Sequence, residues 1–469
     1  MDQHSIAGNP YTQGIADFVA GLRYDAIPTD VIARIKLLIL DSLGCAIFGA
    51  ELPWSRILRD TLGSVDTTQG CTIWGTGQKL SAPHAALVNG TLVQSFELDD
   101  VHRVGVLHVG AVTLPPVLAI AEMNPTMSGR DFLTACIAGY EIGPRVGMCM
   151  GPEHIGQGWH SGATVGVFSA CAGAAAALNL PPDQAVHALG IAGTQSSGLM
   201  AAQFGAMVKR MHAGRAAQSG LYGALLAQNG FTGIVDVFEN PYGGFCTTFS
   251  RSTDRFDLSR LTAGLGERFE TMGIALKFYS CVGSNHTTLD ALRTMQARHP
   301  FGAEDVARVL VRGSRVTMDH VGWPYVPQGM TSAQLNLPYC IATLLLDGDV
   351  FVDQFTEDKI ADPDRMRIAG LVAVAEDPAI TARGSRYRHM VHVTITLKDG
   401  TTLDETVEAP RGSEHAFASA NDVIAKFRKL TTGRIAPAQV DAIIDGVMNA
   451  EKMASAKSLV KMLAATRHP

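Results

Sequence analysis

Over the first 270 residues the apolar positions recur at the spacing of helices. In PTDVIARIKLLILDSLGCAIFGA, residues 28–50, the side chains of Val31, Ile32, Ile35, Leu38, Ile39, Leu43 and Ile47 form one stripe, and Thr29 or Asp30 is placed to cap its start. Further helices are predicted from Ala82 toward Phe96, over 114–123, 131–148 and 162–178, after Pro181-Pro182-Asp183, and over 214–229. Beyond residue 275 the period changes. Segments 305–318 and 389–409 are rich in β-branched residues and alternate, and Lys398-Asp399-Gly400 between two such runs predicts a hairpin. Between these segments, 337–348 reads as a buried helix. From Asn421 the chain returns to helix, with Val440, Ile443, Ile444 and Val447 on one face. The pattern predicts a mostly α protein: a large all-helical domain over 1–272 and 412–469, interrupted by a smaller α+β domain over 273–411.

Length changes this picture little, since 469 residues suit about two domains. The 38 Lys and Arg against 44 Asp and Glu leave a formal charge of −6, which gives no electrostatic footprint for nucleic acid or an anionic membrane. The eight cysteines are scattered, without a C-x-x-C pair or zinc-like spacing, and read as reduced thiols of a cytoplasmic protein. The first residues lack a basic region followed by an apolar one, so no secretory signal is expected. Ser161 to Leu180 carries no formal charge, yet it is built from Ala, Gly and Ser, which suits a closely packed buried helix better than a membrane span.

The densest chemistry lies in FELDDVHRVGVLHVG, residues 96–110. If the preceding helix persists, Glu97 and Asp100 share a face at i, i+3, and burial of such a pair raises at least one carboxyl pKa. The bland alternative is a solvated helix end. His102 and His108 raise a metal question, but their spacing is not that of a helical metal site, and no metal is expected. His160 precedes the small-residue helix, where exposed amides favour an anion, although for an isolated histidine a satisfied structural role ranks first. Lys209, Arg210, His212 and Arg215 make a cationic patch able to hold carboxylates or simply to be solvated. Lys277 and His286 fall near the expected domain boundary, and Tyr339 in the later buried helix. No G-x-S-x-G, G-x-G-x-x-G or P-loop is present.

Taken together, HVGAVTLPPVLAIAE (108–122), GWHSGATVGVFSACAGAA, the Lys209–Gly220 run, LKFYSCVGSNHTTLDAL and AQLNLPYCIATLLLDGDV resemble the MmgE/PrpD family over nearly the whole chain. Its members include 2-methylcitrate dehydratase, cis-aconitate decarboxylase and iminodisuccinate epimerase. The resemblance implies an all-helical domain with a smaller α+β lid domain, an active site in the cleft between them, a homodimer, no metal or organic cofactor, and a small di- or tricarboxylate substrate. It implies catalytic roles for His108, His160, Lys209, His286 and Tyr339, and substrate binding by Glu97, Asp99, Asp100, His102, His212, Arg215 and Lys277. Family decarboxylases typically show Asp at the position of Glu97 and Thr at that of Val101, with one residue fewer before the position of His108. These departures rank a 2-methylcitrate dehydratase-like hydro-lyase first, with epimerase or decarboxylase chemistry as alternatives. A metal-dependent hydrolase and a non-enzymatic helical interaction protein are the competing classes.

Overall fold

The computed structural model describes residues 10–151, 153–204 and 206–464. Its longer helices are α1 (Pro10–Gly21), α2 (Thr29–Gly49), α3 (Pro53–Val65), α4 (Ala82–Val93), α5 (Val109–Met123), α6 (Gly129–Met150) and α7 (Gly166–Ala177). They continue with α8 (Pro182–Gly193), α9 (Val208–Gln228), α10 (Gly283–Arg298), α11 (Leu337–Asp347), α12 (Ala420–Thr431) and α13 (Pro437–Met448). The chain divides into two compact units. The first draws on 1–95, 99–275 and 419–469, the second on 96–98 and 276–418.

In the helical unit α5 and α7 are buried along almost their whole length. Their neighbours approach closely because glycine and alanine line the contacts. A β-carbon on Gly214 of α9 would lie 2.0 Å from the Leu87 carbonyl oxygen of α4, and one on Gly90 would lie 2.7 Å from Gly214 Cα. Side chains at this crossing would force the two backbones apart. The uncharged 161–180 run is likewise interior. No helix among the described residues is long and apolar enough to cross a membrane.

The second unit carries a four-stranded sheet of β1 (Val306–Gly313), β2 (Val372–Glu376), β3 (Val391–Leu397) and β4 (Thr402–Val407) in the order β2-β1-β3-β4. β1 pairs parallel with β2 and antiparallel with β3, and β3–β4 is the expected hairpin, with Gly400 at φ 90°. Val391, Val393, Ile395 and Leu397 alternate into the core, and α10 packs on the β3–β4 side.

Several helix limits differ from the pattern. Pro28, not Thr29 or Asp30, occupies the N-cap of α2, and its missing side-chain acceptor leaves Asp30 to bond the Val31 amide. The 162–178 segment is two pieces, a turn at Ser161–Thr164 and then α7. α9 begins at Val208, six residues before 214, so Lys209, Arg210 and His212 stand in its first turns. α4 ends at Val93, short of Phe96. α5 begins at Val109, with Pro115 and Pro116 inside it instead of near its start. That early start has a specific cause. His108 is the N-cap but its side chain makes no capping bond; the Gly110 amide instead donates to Asp100 Oδ1 at 3.0 Å, while Tyr140 donates its hydroxyl to Asp100 Oδ2 at 2.8 Å. A remote aspartate thus starts the helix and leaves the His108 imidazole available.

Asp100 is fully buried, and desolvation pushes its carboxyl up from 3.8 to about 7, with the Gly110 amide opposing and Asp99 reinforcing the rise. A folded-state pKa above the unfolded value means that this group's stabilisation is complete below the unfolded pKa and is lost as pH rises through the folded one. Relative to Asp100→Asn, which does not titrate, the unaltered protein is therefore expected to lose stability as pH rises from about 4 to about 7, so its melting temperature falls against that of the variant across this window. A difference independent of pH would contradict this. Gly214→Ala is expected to cost about 1–3 kcal/mol in denaturant unfolding; unchanged stability would show that the α4–α9 crossing is looser than described.

Candidate active site

The 96–110 stretch scatters its charges because no helix carries them. α4 stops at Val93, and Glu97 takes the left-handed conformation at φ 55°, so the expected i, i+3 carboxylate face of Glu97 and Asp100 does not form. Val106, β-branched, also sits at φ 49°. Such backbone costs about 1–3 kcal/mol per residue and persists only where the surroundings dictate it.

Asp99 is completely buried, and its Oδ2 lies 3.1 Å from His108 Nδ1. The contact is too far off-axis to count as a hydrogen bond, and among the described residues neither Asp99 oxygen has a hydrogen-bond partner. An unbonded interior carboxylate is costly unless a positive charge faces it. The imidazole of His108, 19% exposed, is the group beside it. A carboxylate against one ring nitrogen orients the imidazole and leaves the other nitrogen to exchange a proton.

His102 does not share this role. Its Nδ1 accepts the Gly105 amide at 2.9 Å, so Nε2 carries the proton, and that atom lies 3.3 Å from Glu270 Oε2. Although burial works against it, His102, Arg145 and Arg268 together hold Glu270 below the ordinary carboxylate range. Both nitrogens of His102 are committed to holding the loop, and substrate binding is withdrawn for it.

A second cluster forms around α9. The rings of His160 and His212 stand 4.9 Å apart, and His212 is buried. Desolvation, then the nearby Lys209, lowers the His212 pKa and keeps that ring neutral. Lys209 and Arg210 lie in the first turn of α9, where the helix dipole is already positive, so the cations and the dipole reinforce one another in favouring an anion. Arg215, by contrast, is exposed and bonded to Gln218, outside this buried group.

In the second unit Lys277 Nζ lies 3.4 Å from Glu97 Oε2, both side chains buried. His286 Nε2 approaches the Cys281 carbonyl at 3.2 Å, and its ring meets Tyr279 edge-on. Burial works against ionising the Cys281 thiol, but Cys340, His286 and Lys277 together draw its pKa down. Tyr339 donates its hydroxyl to the Gln354 carbonyl at 2.7 Å, and burial pushes its pKa up. In this arrangement the Tyr339 proton is committed within its own unit, which does not suit an acid that delivers it to substrate.

Three interior groups escaped the sequence reading. Asp41, 1% exposed, is not singled out by the sequence pattern, yet its helix α2 is buried on nearly every side. Its apolar flanks on both sides were the available signal. Lys426 of α12, which pairs with Asp41, and Gln94, buried at the end of α4, look like ordinary amphipathic surface residues in sequence.

Comparison with known proteins agrees with this architecture. The MmgE/PrpD N-terminal domain matches residues 13–257 and the MmgE/PrpD C-terminal domain residues 279–450. A cis-aconitate decarboxylase of Aspergillus terreus is 33% identical over 98% of the chain and 97% of its own length. The Mus musculus cis-aconitate decarboxylase is 26% identical over 96% of the chain and 93% of its own length. A 2-methylcitrate dehydratase of Cupriavidus necator is 22% identical over 91% of the chain and 89% of its own. The chain therefore belongs to the MmgE/PrpD family and is an enzyme of its lyase type.

Proposed function

We propose that this lyase acts on a small di- or tricarboxylate by proton transfer at carbon next to a carboxylate, with decarboxylation of a cis-aconitate-type acid ahead of dehydration of a 2-methylcitrate-type acid. The order reverses the one drawn from sequence motifs. Its support is the 33% identity to a decarboxylase over almost the full chain, against 22% for a dehydratase. The single structural observation that carries the reading is His108 standing 3.1 Å from the buried Asp99. Glu97, Val101 and the extra residue before His108 favour dehydration as the second reading.

In decarboxylation the bond to the departing carboxylate breaks and its electron pair stays on the carbon framework, spread toward the remaining unsaturation and carboxylates. Carbon dioxide leaves. His108, oriented by Asp99, delivers a proton to carbon and afterwards regains one from water. Lys209 and the positive end of α9 hold the remaining carboxylates and the charge that develops on them. His160 is the second proton-transferring group, with His212 kept neutral beside it. For dehydration the same groups suffice: one takes a proton from carbon while the other protonates the departing hydroxyl.

Proton NMR in deuterated water with a panel of such acids separates the outcomes. The expected result is carbon dioxide release with one deuterium entering the product carbon, and activity is expected to survive treatment with a chelator. Alkene formation with water loss would select the second reading, and inertness toward every acid would end both. His108→Asn is expected to lower kcat by about 100-fold or more. Lys209→Met is expected to raise KM as well as to lower kcat. If both variants keep full kcat/KM, the site lies elsewhere.

A further inference from the structure

Asp99 and His108 are carried on the two arms of one short turn, and the residue that closes it is His102. The His102 amide donates to the Leu107 carbonyl at 2.8 Å and the Leu107 amide donates back to the His102 carbonyl at 3.2 Å, so residues 103–106 form the turn between them. Asp99 lies three residues before His102, and His108 directly follows Leu107. This backbone pairing alone does not settle the turn. It contains Val106 at φ 49°, a conformation that a β-branched residue leaves unless it is held. The His102 ring supplies the hold, because its Nδ1 accepts the Gly105 amide at 2.9 Å.

Both ends of that ring are referred to α6. A β-carbon on Gly147 would lie 2.1 Å from the Gly105 carbonyl oxygen, and one on Gly105 would lie 2.7 Å from the Pro144 carbonyl oxygen, so the turn seats directly on the helix backbone. At the other end of the ring, Nε2 lies 3.3 Å from Glu270 Oε2. Glu270 is fixed in its turn: its amide donates to Glu141 Oε2 of α6 at 2.6 Å, and Arg268 Nε donates to its Oε1 at 3.2 Å. A β-carbon on Gly273 would lie 2.7 Å from His102 Nε2, which leaves the ring no room to swing away on that side. With its proton on Nε2 the buried imidazole faces a carboxylate with a donor and an amide with an acceptor, a division that only this tautomer allows.

We propose that His102 is a positioning residue for the proton transfer: its ring, anchored by Glu270, holds the strained 103–106 turn closed and so sets His108 against Asp99. The kinetic consequence rests on His108 acting as described under the proposed function; the effect on the geometry of His108 does not.

Asparagine and glutamine separate the two ends of the ring. The side-chain oxygen of asparagine takes the place of Nδ1 and can accept from Gly105, whereas glutamine reaches toward Glu270 and leaves the Gly105 amide without its acceptor. With the acid that the unaltered protein turns over, His102→Asn is expected to keep kcat within about threefold, and His102→Gln to lower it about 100-fold with little change in KM. Adding Val106→Gly to His102→Gln removes the strain that the ring opposes, and is expected to recover about tenfold in kcat. A second readout needs no substrate. In protein with 13C-labelled histidine, the His108 signal, identified by its loss in His108→Asn, is expected to shift in His102→Gln and to stay in place in His102→Asn. If His102→Gln does not fold, Glu270→Ala loosens the same ring from its other end and replaces it in both measurements. A purely structural role for His102 predicts equal losses in the Asn and Gln variants and no recovery with Val106→Gly, and either result overturns the inference. So does a His108 signal that stays in place in the folded Gln variant. A shift of that signal without loss of kcat supports the positioning and counts against His108 as the proton donor.

Discussion

Negative charge buried in the helical unit is the constraint on which the rest of the site depends. Asp41, Asp99 and Asp100 are each at most 1% exposed. An ionised carboxylate removed from water costs several kcal/mol, and each of these is accommodated differently. Asp100 shifts toward its neutral form and accepts two hydrogen bonds that start α5. Asp41 meets an ammonium. Asp99 has neither remedy in full and faces an imidazole. That contact orients the imidazole, which the proposed function uses for proton transfer at carbon.

The packing of the unit serves the same end. Glycine and alanine at the α4–α9 crossing bring the start of α9 close in, and with it Lys209, Arg210 and His212. Lys209, Arg210 and the helix dipole then converge on one helix start, which favours an anion there. A cation patch spread over a solvated face would have no such preference for a bound carboxylate.

Helix and strand periods were legible in the sequence wherever one face is apolar, as in α2, the β3–β4 hairpin and α11. Limits set by tertiary contacts were not. The start of α5 depends on Asp100 reaching forward ten residues to the Gly110 amide, and the Pro115-Pro116 pair concealed it. Glu97 and Asp100 looked like a carboxylate pair only while α4 was taken to continue, and the left-handed turn at Glu97 separates them. His102 resembled His108 in composition and neighbours; only its bonds to Gly105 and Glu270 distinguish it. Family motifs point to His108, His160 and Lys209, which the proposed function takes up, but Lys426 lies 385 residues from Asp41, beyond any local pattern.

Neutron diffraction from deuterated crystals at neutral pH tests the central claim most directly, because it locates hydrogen on the loop that carries Asp99 and His108. The account predicts a deuteron on His108 Nδ1 facing Asp99 and none on either Asp99 oxygen. A deuterated Asp99 carboxyl beside a bare His108 Nδ1 would contradict it.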